Sequence, residues 1–209
     1  MDTKQAVAPS PIRAVPWLLP ALLVLGSCTA TRTPDLELQQ IRDALELHPG
    51  MHVADVGAGD GEWSDALAEQ VGPAGHVYST EVDEGHVEKI QRRVEDASNV
   101  TVILGGEENT GLPDACCDAI FLRLVYHHFT NPDRMRAELR RALRPGGRVV
   151  VVEITPQKGW GRLEGVPERD GHGITPEDLL AEMDSDDWVA IERHDDWGSD
   201  DDHYCIVFR

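Results

Sequence analysis

Asp55, Gly57, Gly59 and Gly61 stand at alternate positions in "VADVGAGDGEW", residues 53–63, where an apolar run gives way to polar residues. Glycines in such a turn let main-chain N–H groups approach a ligand at the positive end of the following helix. Glu81 lies 20 residues beyond Gly61, where a carboxylate can accept hydrogen bonds from both hydroxyls of a ribose. The dinucleotide spacing G-x-G-x-x-G fails in both registers. Counting from Gly57, the third glycine is replaced by Glu62, and counting from Gly59 it is replaced by Ser64. No G-K-[ST] follows, which excludes a phosphate-binding P-loop. A second group of chemical residues, Arg123, Tyr126, His127 and His128, follows another apolar run. An imidazole titrates near neutrality, so His127 or His128 can deprotonate a substrate, with Tyr126 a further candidate. The competing expectation packs one histidine under the next helix and leaves the other in solvent. His172 is one more candidate, in a Gly- and Pro-containing loop at 155–174 with Trp160, the expected specificity region.

These residues need a frame. Residues 34–50 read as a helix, with apolar positions three and four apart closed by Pro49-Gly50. Strand-like stretches at 52–56, 76–81, 100–104, 117–125 and 148–154 then alternate with helix-like stretches at 61–71, 84–97 and 131–143. Asn131 suits an N-cap with Pro132 after it, and Thr175 caps a last helix at 175–184. Strand-like pieces at 188–194 and 203–209, joined by an acidic turn, imply a final antiparallel hairpin. The expectation is an α/β fold: a doubly wound, mostly parallel seven-stranded sheet with the last strand antiparallel, in a three-layer, Rossmann-like sandwich.

The pattern D-x-G-x-G-x-G at 55–61, with Glu81, resembles the first motifs of the class I S-adenosylmethionine-dependent methyltransferases. "LPDACCDAIFLRLVYHHF" (112–129) and "LRPGGRVVVVEI" (143–154) resemble that family's fourth- and fifth-strand segments. The resemblance runs through nearly all of residues 35–209. It implies S-adenosylmethionine as cofactor, bound by Asp55, Gly57, Gly59, Gly61 and Glu81, with Arg123 beside them. It also implies an enzyme that transfers a methyl group to a small-molecule acceptor. The family often has Gly-Asp after the third strand to hold adenine, but here Gly105-Gly106 precede Glu107. Either Glu107 substitutes or packing alone holds the base. "VGPAGHVYSTE" (71–81) is also similar to isoaspartyl methyltransferases, which makes a protein carboxyl methyltransferase an alternative. Residues 34–50 lack the Ser/Thr-rich substrate segment of that group.

The chain has 209 residues and a formal net charge of −19. Such a surface repels phosphate backbones, so nucleic acid is not an expected partner. Residues 1–27 read as a signal peptide, and "LGSC" (25–28) resembles a bacterial lipobox. That resemblance implies a lipid anchor at Cys28, a tether at 28–34 and a membrane-bound envelope protein. A misread start would leave the protein cytoplasmic. A non-catalytic exported binding lipoprotein on this fold is a further alternative. Cys116, Cys117 and Cys205 are expected as free buried thiols. The cysteines show no zinc-type spacing, and no metal is expected. The acidic run 195–202 reads as a solvated turn.

Overall fold

A computed structural model describes residues 33–159, 164–199 and 202–209. The segment 1–27 expected to be a signal peptide, Cys28 and Trp160 lie outside the described residues. Helix α1 (Thr33–Leu45) precedes β1 (His52–Val56), α2 (Glu62–Val71), β2 (His76–Glu81), α3 (Glu84–Arg93), β3 (Val100–Leu104) and β4 (Cys117–Arg123). Then come α4 (Pro132–Ala142), β5 (Leu143–Ile154), α5 (Pro176–Asp184), β6 (Ala190–His194) and β7 (His203–Phe208). The strands form one seven-stranded sheet in the order β3-β2-β1-β4-β5-β7-β6. Strands β1 to β5 pair in parallel, and β7 runs antiparallel to both β5 and β6. This is the expected doubly wound sheet.

Alternation along the strands divides the core. Val53, Phe121, Val150 and Val152 face α1 and α2 through Ile41, Leu45, Leu67 and Val71. Val56, Ile120, Leu122 and Val151 face α4 and α5 through Met135, Leu139, Leu179 and Met183. Both faces of the central strands are covered, which is why they read as unbroken apolar runs. Local signals place the helix ends. Asn131 Oδ1 accepts from the Arg134 N–H at 3.2 Å, and Thr175 Oγ1 accepts from the Asp178 N–H at 3.0 Å.

Four expectations need correction. The helix expected over 84–97 ends at Arg93. Strand β5, expected at 148–154, extends back to Leu143, which pairs with Cys117 across an irregularity in register. The turn after β6 is not wholly solvated: Trp197 is buried in the α1 face, and Gly198 donates to Gln40 Oε1 at 3.0 Å. Cys116 and Cys117 are paired, with sulfurs 2.50 Å apart, so among the described cysteines only Cys205 is a free buried thiol.

Candidate functional site

The turn after β1 is built around one close approach. Gly57 has φ +73°, and a Cβ there would lie 2.3 Å from Val125 Cγ2. The backbone conformation and the neighbour therefore both demand glycine. Gly59 (φ +56°) faces open space. Gly61, also in the left-handed region, enters α2 without a side-chain cap. Beneath the turn, Asp55 is buried and accepts from Ser64 Oγ at 2.6 Å, while Ser64 also bonds Ser79 at 2.7 Å. Burial pushes the Asp55 carboxyl up to about 6, against the opposing effect of the Ser64 hydrogen bond. Asp55 thus holds the turn from below.

Glu81 ends β2 and reaches back over the turn. Its Oε2 accepts from the Gly59 N–H at 2.9 Å and its Oε1 from the Val82 N–H at 2.7 Å. A cavity opens at the carboxyl ends of β1 to β4. Gly57, Glu81, Gly106, Glu107, Val125 and His128 are among its lining residues. This is where a doubly wound sheet binds ligands. Exposed Val82, together with Phe129 and Met135, gives it an apolar side. The structure thus brings Gly57, Glu81, Glu107 and His128 to one cavity.

Arg123 goes elsewhere. Its Nε and Nη2 donate to the two carboxylate oxygens of buried Glu37 on α1, at 2.7 and 3.1 Å, and its guanidinium lies 5.4 Å from the Trp63 ring centroid. Arg123 does not line the cavity, because the alternation that buries Phe121 toward α1 and α2 turns Arg123 the same way. Tyr126 is also corrected. It is fully buried; its hydroxyl donates to Glu182 at 2.9 Å and accepts from Arg136 Nη1 at 3.0 Å. Burial, and then the Glu182 charge, hold its phenol well above the ordinary range. Tyr126 joins α4 to α5 and does not face the cavity.

The histidines come together. Leu124, with φ +55° after β4, turns the chain into a single 3-10 turn at Tyr126–His128. His127 is buried, and its Nδ1 meets Glu153 Oε2 at 2.6 Å, while His127 N–H donates to Glu153 Oε1 at 3.2 Å. Glu153 is itself fully buried near the end of β5. Its single acidic letter in "VVVVEI" was the sequence signal for this pair. His172 arrives from the 155–174 loop, and its Nε2 lies 3.2 Å from His127 Nε2. Its main chain is pinned to Gln157 by two hydrogen bonds of 2.8 and 3.2 Å. Gly171 and Gly173 flank it, where a Cβ would come within 2.8 Å of Gln157 O and 2.6 Å of Ile154 O. Partial burial, then repulsion from His127 and His172, pushes the His128 imidazole down to about 4. Desolvation, then His127, also lowers His172. The expected alternative, one packed and one solvated histidine, describes the exposure of His127 and His128 but misses their shared contact with His172.

Residues 54–151 match a family described as "Methyltransferase domain". The ubiquinone/menaquinone biosynthesis C-methyltransferase UbiE of Ralstonia pickettii is 34% identical over 119 residues, 56% of this chain and 48% of that protein. The chain spans about half the length of the curated relatives it matches. In fold, the chain resembles a SAM-dependent methyltransferase from Aquifex aeolicus, with TM-score 0.71, 22% identity, and 86% and 92% of the two chains covered. Aeropyrum pernix fibrillarin in complex with natively bound S-adenosyl-L-methionine is a second likeness, with TM-score 0.57, 16% identity, and 78% and 67% covered.

Proposed function

We propose that this protein is an S-adenosylmethionine-dependent methyltransferase acting on a small-molecule acceptor. The observation that carries the reading is Glu81. Its carboxylate stands at the mouth of the cavity, holding the Gly59 N–H until ribose hydroxyls take its place. Val82, Phe129 and Met135 offer an apolar seat for adenine, with Glu107 at its rim. The acidic turn suits a donor that carries a sulfonium and an ammonium but no phosphate. The fit extends to the chemistry, because methyl transfer is an in-line displacement that chiefly needs positioning.

The acceptor enters beside His128. A hydroxyl, or a ring carbon made nucleophilic by a neighbouring phenolate, must lose a proton before or during transfer. The histidine cluster is the polar wall available for that step. The UbiE relatives are named C-methyltransferases, and transfer to carbon is compatible with such a wall. The lipobox-like "LGSC" supports a lipid anchor at Cys28. The test incubates full-chain protein with methyl-tritiated cofactor and a small-molecule extract. Label is expected in a low-mass product. Label found only in protein would favour the carboxyl methyltransferase, and none at all would favour a binding role. Fractionation of wild type and Cys28→Ala tests the anchor: only the wild type is expected in the membrane fraction.

A further inference from the structure

Glu153 fixes more than the orientation of His127. A buried carboxylate on Nδ1 takes the ring proton to that side, so Nε2 presents its lone pair outward. It points at His172 Nε2, 3.2 Å away, and one ring nitrogen from each of His127, His128 and His172 lies within 4.8 Å of the others. Two imidazole nitrogens bound at about 2.0–2.1 Å on one tetrahedral ion stand about 3.3 Å apart. We propose that His127, His128 and His172 bind a divalent transition-metal ion of the zinc class, with Glu153 as the outer carboxylate.

The donor set selects the metal. Imidazoles alone suit zinc-like ions and reject magnesium and calcium, which want oxygen. Three protein ligands leave one position open, the arrangement of sites that do chemistry. The scaffold is prepared in advance. Glu153 holds His127, and the two-bond bridge to Gln157, with its flanking glycines, holds His172.

An independent observation points to a ligand in the same place. Arg169 lines a cleft together with His127 and His172. Its side chain is 6% exposed and its Nη2 is paired with Glu182, yet Nε and Nη1 are buried with no partner. Buried donors left unsatisfied are costly, and an anionic group entering the cleft would satisfy them. Since His128 borders the cofactor cavity, the ion stands between that cavity and the cleft.

The role of the ion rests on the methyltransferase reading; its binding does not. A hydroxyl acceptor bound at the open position loses its proton to solvent, because the ion stabilises the oxyanion. The oxygen then bonds to the methyl carbon. The carbon–sulfur bond breaks with its electron pair left on sulfur, releasing S-adenosylhomocysteine.

The test uses full-chain protein stripped by a chelator and titrated with cobalt(II) chloride, then with zinc chloride. One cobalt ion per chain is expected, with the visible absorption of a tetrahedral nitrogen site, displaced by one zinc. His172→Ala and His128→Ala are each expected to weaken zinc at least 100-fold. The apo melting temperature of His172→Ala should stay near that of wild type, since His172 sits in a partly exposed loop. Absence of stoichiometric zinc and cobalt binding in wild type, or unchanged binding in both variants, overturns the proposal. S-adenosylmethionine binding is measured in the same samples. Wild type that binds cofactor but no metal defeats the metal site alone, and wild type that binds no cofactor defeats the methyltransferase reading.

Discussion

Replacing Gly57 with alanine should damage the fold and the cofactor cavity together, and replacing Gly59 should cost the fold less and leave the cavity intact. At Gly57 the left-handed backbone (φ +73°) costs an ordinary residue about 1–2 kcal/mol. The new Cβ would also sit 2.3 Å from Val125 Cγ2, so either β1's turn or the residue after Leu124 must move. Overpacking of this kind costs about 1–3 kcal/mol. The sum, about 2–5 kcal/mol, corresponds to a melting temperature lower by on the order of 10 °C in a chain of this size. At Gly59 only the backbone cost applies, about 1–2 kcal/mol, since nothing lies within 4 Å of its Cβ position. Gly57 and Val125 both line the cavity, so Gly57→Ala should also weaken S-adenosylmethionine more than Gly59→Ala does. Thermal melts followed by circular dichroism, and calorimetric titration of each variant, give both readouts. If Gly57→Ala melts within 2 °C of wild type, or Gly59→Ala falls as far as Gly57→Ala, the close-approach argument is wrong.

Other variants separate support from chemistry. The Asp55 carboxyl is raised to about 6, so the folded state holds its proton more tightly than the unfolded chain does. Its contribution is fully present below pH 4 and is lost as pH rises toward 6, a change of about 3 kcal/mol. Asp55→Asn should therefore stabilise the protein at pH 7 and remove that part of the pH 4–6 slope in denaturant midpoints. An unchanged slope would place the proton elsewhere. Tyr126→Phe loses bonds to Glu182 and Arg136 and should lower stability by about 1–2 kcal/mol while kcat is retained; a collapse of kcat would restore Tyr126 to catalysis. Arg136 is 2% exposed and bonds Asp186, Asp133 and Tyr126. Arg136→Met should cost about 1–2 kcal/mol in urea melts, because the hydrogen bonds from its guanidinium to Asp186, Asp133 and Tyr126 are lost; a neutral result would show that the cluster adds nothing to stability.

The frame was legible because its signals are local and repeated. Apolar runs such as 148–154 can only be strands covered on both faces, and Asn131 and Thr175 mark their helices by chemistry that acts within three residues. The glycine turn was legible for the same reason, since its spacing is a backbone requirement. Side-chain direction was not. Arg123 ends a cavity-forming strand, yet the two-residue alternation sends it to Glu37, which lies 86 positions earlier in the chain. Tyr126 adjoins the histidines in sequence but faces the α4–α5 layer. The partnership of His127 with Glu153 and His172 joins three separate segments, and only the lone acid in a valine strand hinted at it. Arg169 gave no signal at all, since its burial depends on how the 155–174 loop folds back.

The cavity lined by Gly57 and Glu81 is expected to bind S-adenosylmethionine. Calorimetric titration of the full chain with S-adenosylhomocysteine, beside Glu81→Ala, tests it most directly. One site per chain is expected, with affinity reduced at least tenfold in the variant while the fold is kept. No heat of binding in the wild type, or equal affinity in wild type and variant, would contradict it.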